Sequence, residues 1–439
     1  MLPAKPVSLT ENAVSESSTT SVDTADTVAE AVNQAIASLE ADDFHSQWER
    51  SKQISQQLTQ WGDRAVPHLL DHLKTATEPD IQWFLVRLLS QFDQIEVIEA
   101  IAQLLATTQN EDLQIEARKA LTRIGSSAIE PVSGLLSQDN PIERRILAAR
   151  VLAYIRRTAT IEPLLSIAKD DSPEIRAIAT EALGSFHDPR ITPILLAALE
   201  ADVTEAEAAE TSVAICIEAI RTLGRRSDLL PHTDLVEPLQ RCLLREHRQI
   251  AKESAIALGR LSTQGAAIAL GKALLQPIAT EVKSAIVRAL GWIDSAAAVQ
   301  SLAIAFNQSA PLIMPALKPE IARALGQTRS LALKPQAAEP LTVWLRAATE
   351  PLSPDSSAEP ALKQAVVSAL ARLGETTAIA ALIPLLADPD SRIKMHVLSA
   401  LHQIDSEAAK AQLCDYLTNQ NHPAKLRDEV KESLKAWSV

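Results

Sequence analysis

His68 and His72, one helical turn apart with Asp71 between them, form the tightest cluster of metal-ligating side chains in the sequence. Such a pair chelates a metal when both rings share a helix face and a third ligand completes the shell. No third ligand is in view, so surface histidines are the expectation. Gly265 to Lys272 imitates a phosphate loop, but five residues separate its glycines, Ala273 replaces the Ser or Thr, and no strand precedes it. No G-x-S-x-G motif occurs. Cys216, Cys242 and Cys414 have no CxxC spacing and no visible base, which argues against a disulfide framework, a zinc site and an activated nucleophile. No catalytic residue, metal or cofactor is therefore expected, and an enzyme is the less favoured class. What remains is guanidinium chemistry, and its meaning depends on the elements that carry it.

Those elements repeat. SPEIRAIATEALGSF (172–186), ATEVKSAIVRALGWI (279–293) and DSRIKMHVLSALHQI (390–404) each carry an apolar residue, then Arg or Lys, then a small-Leu pair seven residues on. With that Leu as anchor, the unit recurs twelve times, at Leu58, Leu89, Leu121, Leu152, Leu183, Leu223, Leu258, Leu290, Leu325, Leu370, Leu401 and Leu434. Apolar residues recur at −8, −4, −1, 0 and +3, which fall on one arc of about 100° of a helix, here named B. Asn140-Pro141, Ser172-Pro173, Asp388-Pro389 and His422-Pro423 mark its start. Gly184, Gly224, Gly259, Gly291 and Gly326 are expected to mark its end. A first helix, A, supplies Leu/Ile clusters such as Leu69-Leu70-Leu73, with prolines near its beginning. Two such helices cannot bury both faces alone, so neighbouring hairpins must stack.

Positions −6, −2 and +2 point directly away from the buried arc. Through units two to eleven this stripe carries eleven bases against one acid, Glu181, with interspersed Ile, Trp and Tyr. The candidate partner-binding residues are Trp83, Arg87, Lys119, Arg123, Arg150, Tyr154, Arg221, Arg225, Arg260, Arg288, Trp292 and Arg323, with Trp83 expected to be exposed. Arg-rich surfaces with aromatic anchors suit carboxylate-bearing partners. The competing reading is a solvated face matched to the helix dipole. Acids at −9 and −5 include Glu116, Glu218 and Glu320, spaced to pair at i,i+3 with Lys119, Arg221 and Arg323. A second basic row, at −7, borders the core and is expected to pair with turn acids of its own or the adjoining repeat.

The motif E-I-R-x-x-A-x-x-A-L-G followed by H-D-P-R-I-T-P-I-L (174–195), and LGETTAIAALIPLLADPDSRIK (373–394), resemble the HEAT-like repeat of phycobilisome lyases. The resemblance, which covers residues 46 to 438 by period, implies an all-α, curved α-solenoid of about twelve HEAT-like hairpins whose stripe lines the concave face. Such families include bilin lyases, phycobilisome-degradation factors, adaptors and an iron hydroxylase. None of the nine histidines is followed by Glu, so the His-Glu iron ligands of the hydroxylases are missing. Three functions follow. The first is a non-enzymatic scaffold, adaptor or assembly factor binding an acidic protein, which the resemblance extends to a phycobiliprotein. The second is a bilin lyase or phycobilisome-associated chaperone whose arginines hold tetrapyrrole propionates, and which would shift the absorbance of added bilin. The third, nucleic-acid binding, is disfavoured by a net charge of −13 from 42 basic and 55 acidic residues.

Composition agrees with helices: 439 residues are 46% apolar with only 11 Gly and 3% aromatics, poor material for strands and hairpins. Residues 1–23 read as a disordered Ser/Thr-rich tail, 24–45 as an N-terminal capping helix and 46–438 as the repeat array. Loops are inserted at 200–212 and 349–360. The acidic first loop is a candidate competitor for the basic stripe. No apolar run is long enough to span a bilayer, and unpaired cysteines with no export signal fit a reducing cytoplasm.

Overall fold

The computed structural model describes residues 25–40, 44–200, 209–309, 312–349, 360–418 and 422–437. The tail 1–23 and most of both inserted loops, 201–208 and 350–359, lie outside the described residues, so the competitor role of the acidic loop has no structural counterpart here. Among the described residues every regular element is a helix and no strand occurs.

The chain forms an all-α solenoid fold that divides into two compact units, residues 1–163 and 164–439. In the first, B helices run over Phe44–Trp61, Pro79–Leu89, Glu111–Ile124 and Ile142–Ile155. In the second they run over Pro173–Leu183, Ala209–Leu223, Arg248–Leu261, Thr280–Trp292, Lys318–Leu325 and Pro360–Leu373, then the first half of Ser391–Thr418, and Ala424–Trp437. The long helix Ser391–Thr418 breaks at Asp405, whose backbone is extended and whose carboxylate accepts a hydrogen bond from the Ala408 N–H at 2.9 Å, capping the A helix that follows. Within each unit successive B helices pack on one another, and A helices such as Gln264–Leu274 and Ala296–Asn307 pack in a parallel layer. The anchor leucines from Leu89 to Leu401 are at most 1% exposed. Helix Ala25–Glu40 packs on Phe44–Trp61 and on helix Val66–Thr75, burying Val28, Val32, Ile36 and Leu39.

The expectation that the glycines after the anchor end helix B holds for Gly184, Gly224 and Gly326, which directly follow the last residue of their helices, and is corrected for the other two. Gly259 and Gly291 lie inside their helices, and Gly184 and Gly326 keep right-handed helical angles. Their role is proximity. A Cβ on Gly224 would stand 2.7 Å from Ala257 Cα, on Gly259 3.0 Å from Ala289 Cα, and on Gly326 2.7 Å from Ala369 Cα. Gly184 faces the Thr222 hydroxyl at the equivalent place, and Gly291 faces Ala324 less tightly, 3.4 Å from its Cα. Position +1 of one B helix thus faces the small residue at −1 of the next, forming a seam in which backbones nearly touch. Left-handed backbone falls instead at +4, at Gly62, Gly125, Arg156, Ser262 and Gly374.

Helix starts are mixed. Ser172 Oγ accepts from the Ile175 N–H at 3.5 Å as expected, whereas Asn140 turns its amide to the Gly134 carbonyl and Pro141 occupies the cap position. The −7 row divides its partners between acids and carbonyls. Lys363 pairs with Asp388 at 2.9 Å and Lys394 with Glu429 at 2.6 Å, both in the adjoining repeat. Arg176 donates to the carbonyls of Asp170 and Asp171, and the buried Lys283 to that of Leu312. Burial holds the Lys283 ammonium below the usual lysine range.

Candidate functional site

The outward row is built from three positions per B helix, and its orientation follows from the burial of −8, −4, −1 and 0 on the opposite side. Lys119, Arg123, Arg150, Tyr154, Arg221, Arg225, Arg260, Arg288, Trp292 and Arg323 are all exposed. Trp83 and Arg87 are not. Trp83 is half-buried, its ring 5.9 Å from that of Trp48 and edge-on to Phe84 at 5.0 Å. The Arg87 guanidinium lies 4.4 Å over Trp48 and 5.6 Å from Trp83, so both side chains close the first hairpin. The exposed-tryptophan expectation is corrected by Trp48, which lies on the preceding B helix rather than on the outward row.

In the rest of the first unit, Lys119 lies 3.9 Å from the buried Glu116. Arg123 donates to Ser90 Oγ, and the Arg118 guanidinium lies 5.5 Å from the exposed Tyr154 ring. His72 Nε2 is 2.9 Å from Asn33 Oδ1, and among the described residues no group of three metal-ligating side chains gathers at His68 and His72.

The second unit shows how far the row neutralises itself. Arg221 bonds Glu253 of the next repeat at 2.7 Å and lies 3.8 Å from Glu218, which also reaches Arg225 at 3.9 Å. The Glu253 hydrogen bond raises the Arg221 pKa. The pairing stops there. Glu320 accepts from Ser284 Oγ at 3.2 Å instead of pairing with Arg323, and the Arg288 Nε turns to the Ser284 carbonyl at 3.4 Å. Among the described residues no carboxylate forms an ion pair with Arg260, Arg288, Arg323 or Arg372.

Arg288, Arg323 and Arg372 frame two adjoining grooves. One, about 500 Å³, lies between helices Thr280–Trp292 and Lys318–Leu325 and is lined by Ser284, Arg288, Trp292, Glu320, Arg323 and Gln327, with Val287 and Ala324 also lining it. The next, about 270 Å³, lies between Lys318–Leu325 and Pro360–Leu373 and is lined by Arg323, Gln364, Ser368 and Arg372 with Ala361, Ala365 and Ala369. Arg323 is common to both. Trp292 is 48% exposed, and its ring edge lies 3.0 Å from where a Cβ on Gly259 would sit. Arg372 stands in the sequence stripe but not among the twelve candidates, and the alanines carry no local signal of a groove. Two of them, Ala324 and Ala369, are small because they face the seam glycines Gly291 and Gly326.

The structure also joins residues far apart in sequence. Cys216 and Cys242 are both buried; Cys242 Sγ donates to the Leu199 carbonyl at 3.8 Å, and the Arg245 guanidinium lies 3.8 Å from Cys216 Sγ. The Cys216 thiol, donating to Cys242 and assisted by the nearby guanidiniums, pushes Cys242 down to about 7, while Cys216 itself is held far above the usual thiol range. With at most 1% of either residue exposed, this cluster is closed to a substrate.

No described helix is long and apolar enough to cross a membrane. No curated protein matches the chain. Among solved structures, Kap121p matches at 12% identity over 93% of this chain and 48% of that one, with a TM-score of 0.60. The karyopherin Kap121p bound to the extreme C-terminus of the protein phosphatase Cdc14p matches at 14% identity, 93% and 49% coverage, and a TM-score of 0.54. The chain spans about half the length of these structures, and the likeness concerns the fold. The complex of CpcE and CpcF of phycocyanin lyase from Nostoc sp. PCC7120 matches at 19% identity over 63% of this chain and 94% of that one. Its TM-score of 0.31 supports no argument. The HEAT-repeat profile matches residues 66–148, 129–214 and 349–435, together more than half of the sequence. The chain belongs to the HEAT-repeat family.

Proposed function

We propose that the chain is a non-enzymatic scaffold or adaptor that grips an acidic protein partner through the outward row of its B helices. The observation that carries this reading is the set of grooves framed by Arg288, Arg323 and Arg372, guanidiniums that form no ion pair with a described carboxylate and face a single lining acid, Glu320, beside an open tryptophan. Arginine forks at a partly enclosed surface bind carboxylates bidentately and steer an acidic partner from a distance. Structures of the same fold supply a precedent for holding a protein segment, since Kap121p is seen bound to Cdc14p. Arg221 and Arg225 contribute less, because Glu218 and Glu253 already occupy them.

The test is capture from native lysate by the full chain, as wild type and as Arg288→Glu/Arg323→Glu/Arg372→Glu, at low salt and at about 0.5 M, where screening is strong. The expected result is a set of acidic proteins held by the wild type and lost both with the variant and at high salt. Identical sets in all four arms overturn the reading.

A further inference from the structure

We infer that the two grooves read one extended, polyproline-like segment of the partner, with a carboxylate at every third residue and a proline or aromatic ring seated on Trp292. This deepens the acidic-partner reading and rests on it. The argument is one of spacing. Side-by-side helices sit about 8–10 Å apart, and the seam of Gly291 against Ala324 and Gly326 against Ala369 places these three at the short end of that range. A polyproline II chain has three residues per turn and rises about 3.1 Å per residue, so every third side chain projects from the same face at intervals of about 9 Å. A β-strand puts residues i and i+3 on opposite faces. One turn of a polyproline-like segment therefore matches one repeat, and successive carboxylates meet successive guanidiniums.

The residues fit that path. Arg288 and Arg323 stand at the same height, both at −2. Arg372 stands at +2, roughly 6 Å further along its helix at about 1.5 Å per residue, so the row crosses the helices obliquely and the long arginine stem takes up the offset. Gln327 lines the first groove with Arg288 and Arg323 and presents its amide to the segment's main-chain carbonyls, which a polyproline conformation leaves unbonded, whereas in the second groove the Gln364 amide is already held by His396 Nε2 at 2.7 Å. Trp292 offers an apolar face at one end of the row, and flat aromatic faces dock polyproline segments elsewhere by the same complementarity. Because such a segment is already extended in solution, little ordering entropy opposes its binding.

The experiment measures fluorescence anisotropy of two labelled peptides of identical composition on the full chain at low salt. One carries four Asp-Pro-Pro triplets, and the other has its four aspartates contiguous. The expected result is at least tenfold tighter binding of the triplet peptide, lost in Arg288→Gln/Arg323→Gln/Arg372→Gln and weakened several-fold in Trp292→Ala. Equal affinity for the two isomers, or affinity indifferent to the arginine variant, overturns the register. A concentration-dependent dimer abolished by the same variant overturns it too, since the grooves would then hold a second copy. The broader reading fails separately, when the charge-reversed chain still captures the wild-type set from lysate.

Discussion

The seam between B helices makes a quantitative prediction, because the same substitution should have opposite signs at two glycines of one unit. In Gly224→Ala the new Cβ would lie 2.7 Å from Ala257 Cα and 2.6 Å from Ala257 Cβ. Carbon atoms rest at about 3.5–4.0 Å, so helices Ala209–Leu223 and Arg248–Leu261 must part by roughly 1 Å. The obstructing atoms belong to backbone and to a methyl that cannot swing away, which places the overpacking cost at about 2–3 kcal/mol, the upper part of its usual range. The reduced freedom of the unfolded chain returns about 0.4–1 kcal/mol. The net is a loss of about 1–2.5 kcal/mol. Gly265, exposed at the start of helix Gln264–Leu274, meets nothing nearer than a Val236 methyl at 3.8 Å, so Gly265→Ala keeps only the gain, about 0.5–1 kcal/mol. Urea denaturation followed by circular dichroism, with midpoints compared at constant slope, checks both. A Gly224→Ala protein as stable as Gly265→Ala would refute the argument that the glycine is there for proximity.

Two further outcomes are expected. Cys242, with its folded pKa pushed down to about 7, contributes stability that is present above the ordinary thiol pKa and is lost as pH falls through 7. Urea midpoints should therefore rise between pH 7 and 9, and Cys242→Ser should flatten that slope. An unchanged slope would mean the thiol stays protonated in the fold. For the ion pair of Lys363 and Asp388, whose side chains are 12% and 7% exposed, Lys363→Met strands a buried carboxylate and should cost about 3 kcal/mol. Adding Asp388→Asn should recover at least half of it, whereas additive losses in the double-mutant cycle would show that the pair is not coupled.

The period, the buried arc and the outward direction of the arginines were legible because each depends on spacing within a single helix. What crosses from one repeat to the next was not. Gly259 and Gly291 were misread as helix ends because glycine serves both helix termini and close packing. The distinguishing sign, a small residue such as Ala289 or Ala324 one repeat later, appears only when repeats are laid over one another. Glu320 and Arg323 have the right spacing for an ion pair, yet Ser284 of the preceding repeat takes the carboxylate. Arg221 likewise finds Glu253, a full repeat away, nearer than the Glu218 of its own helix. Trp83 lies on the outward face by angle, and Trp48 covers it.

Spacing set by glycine against alanine belongs to the main chain, where no rotamer can alter it, whereas the side chains at −6 and −2 take no part in that contact and only +2 residues such as Trp292 and Gln327 border it. The arrangement resembles a rack with interchangeable teeth. Under the proposed function, exchanging Arg for Gln, Ile or Glu along the row would rewrite which partner sequence is read while the distance between successive B helices stays the same. A HEAT array built this way can acquire a new recognition code one tooth at a time, without refolding the rail that carries it.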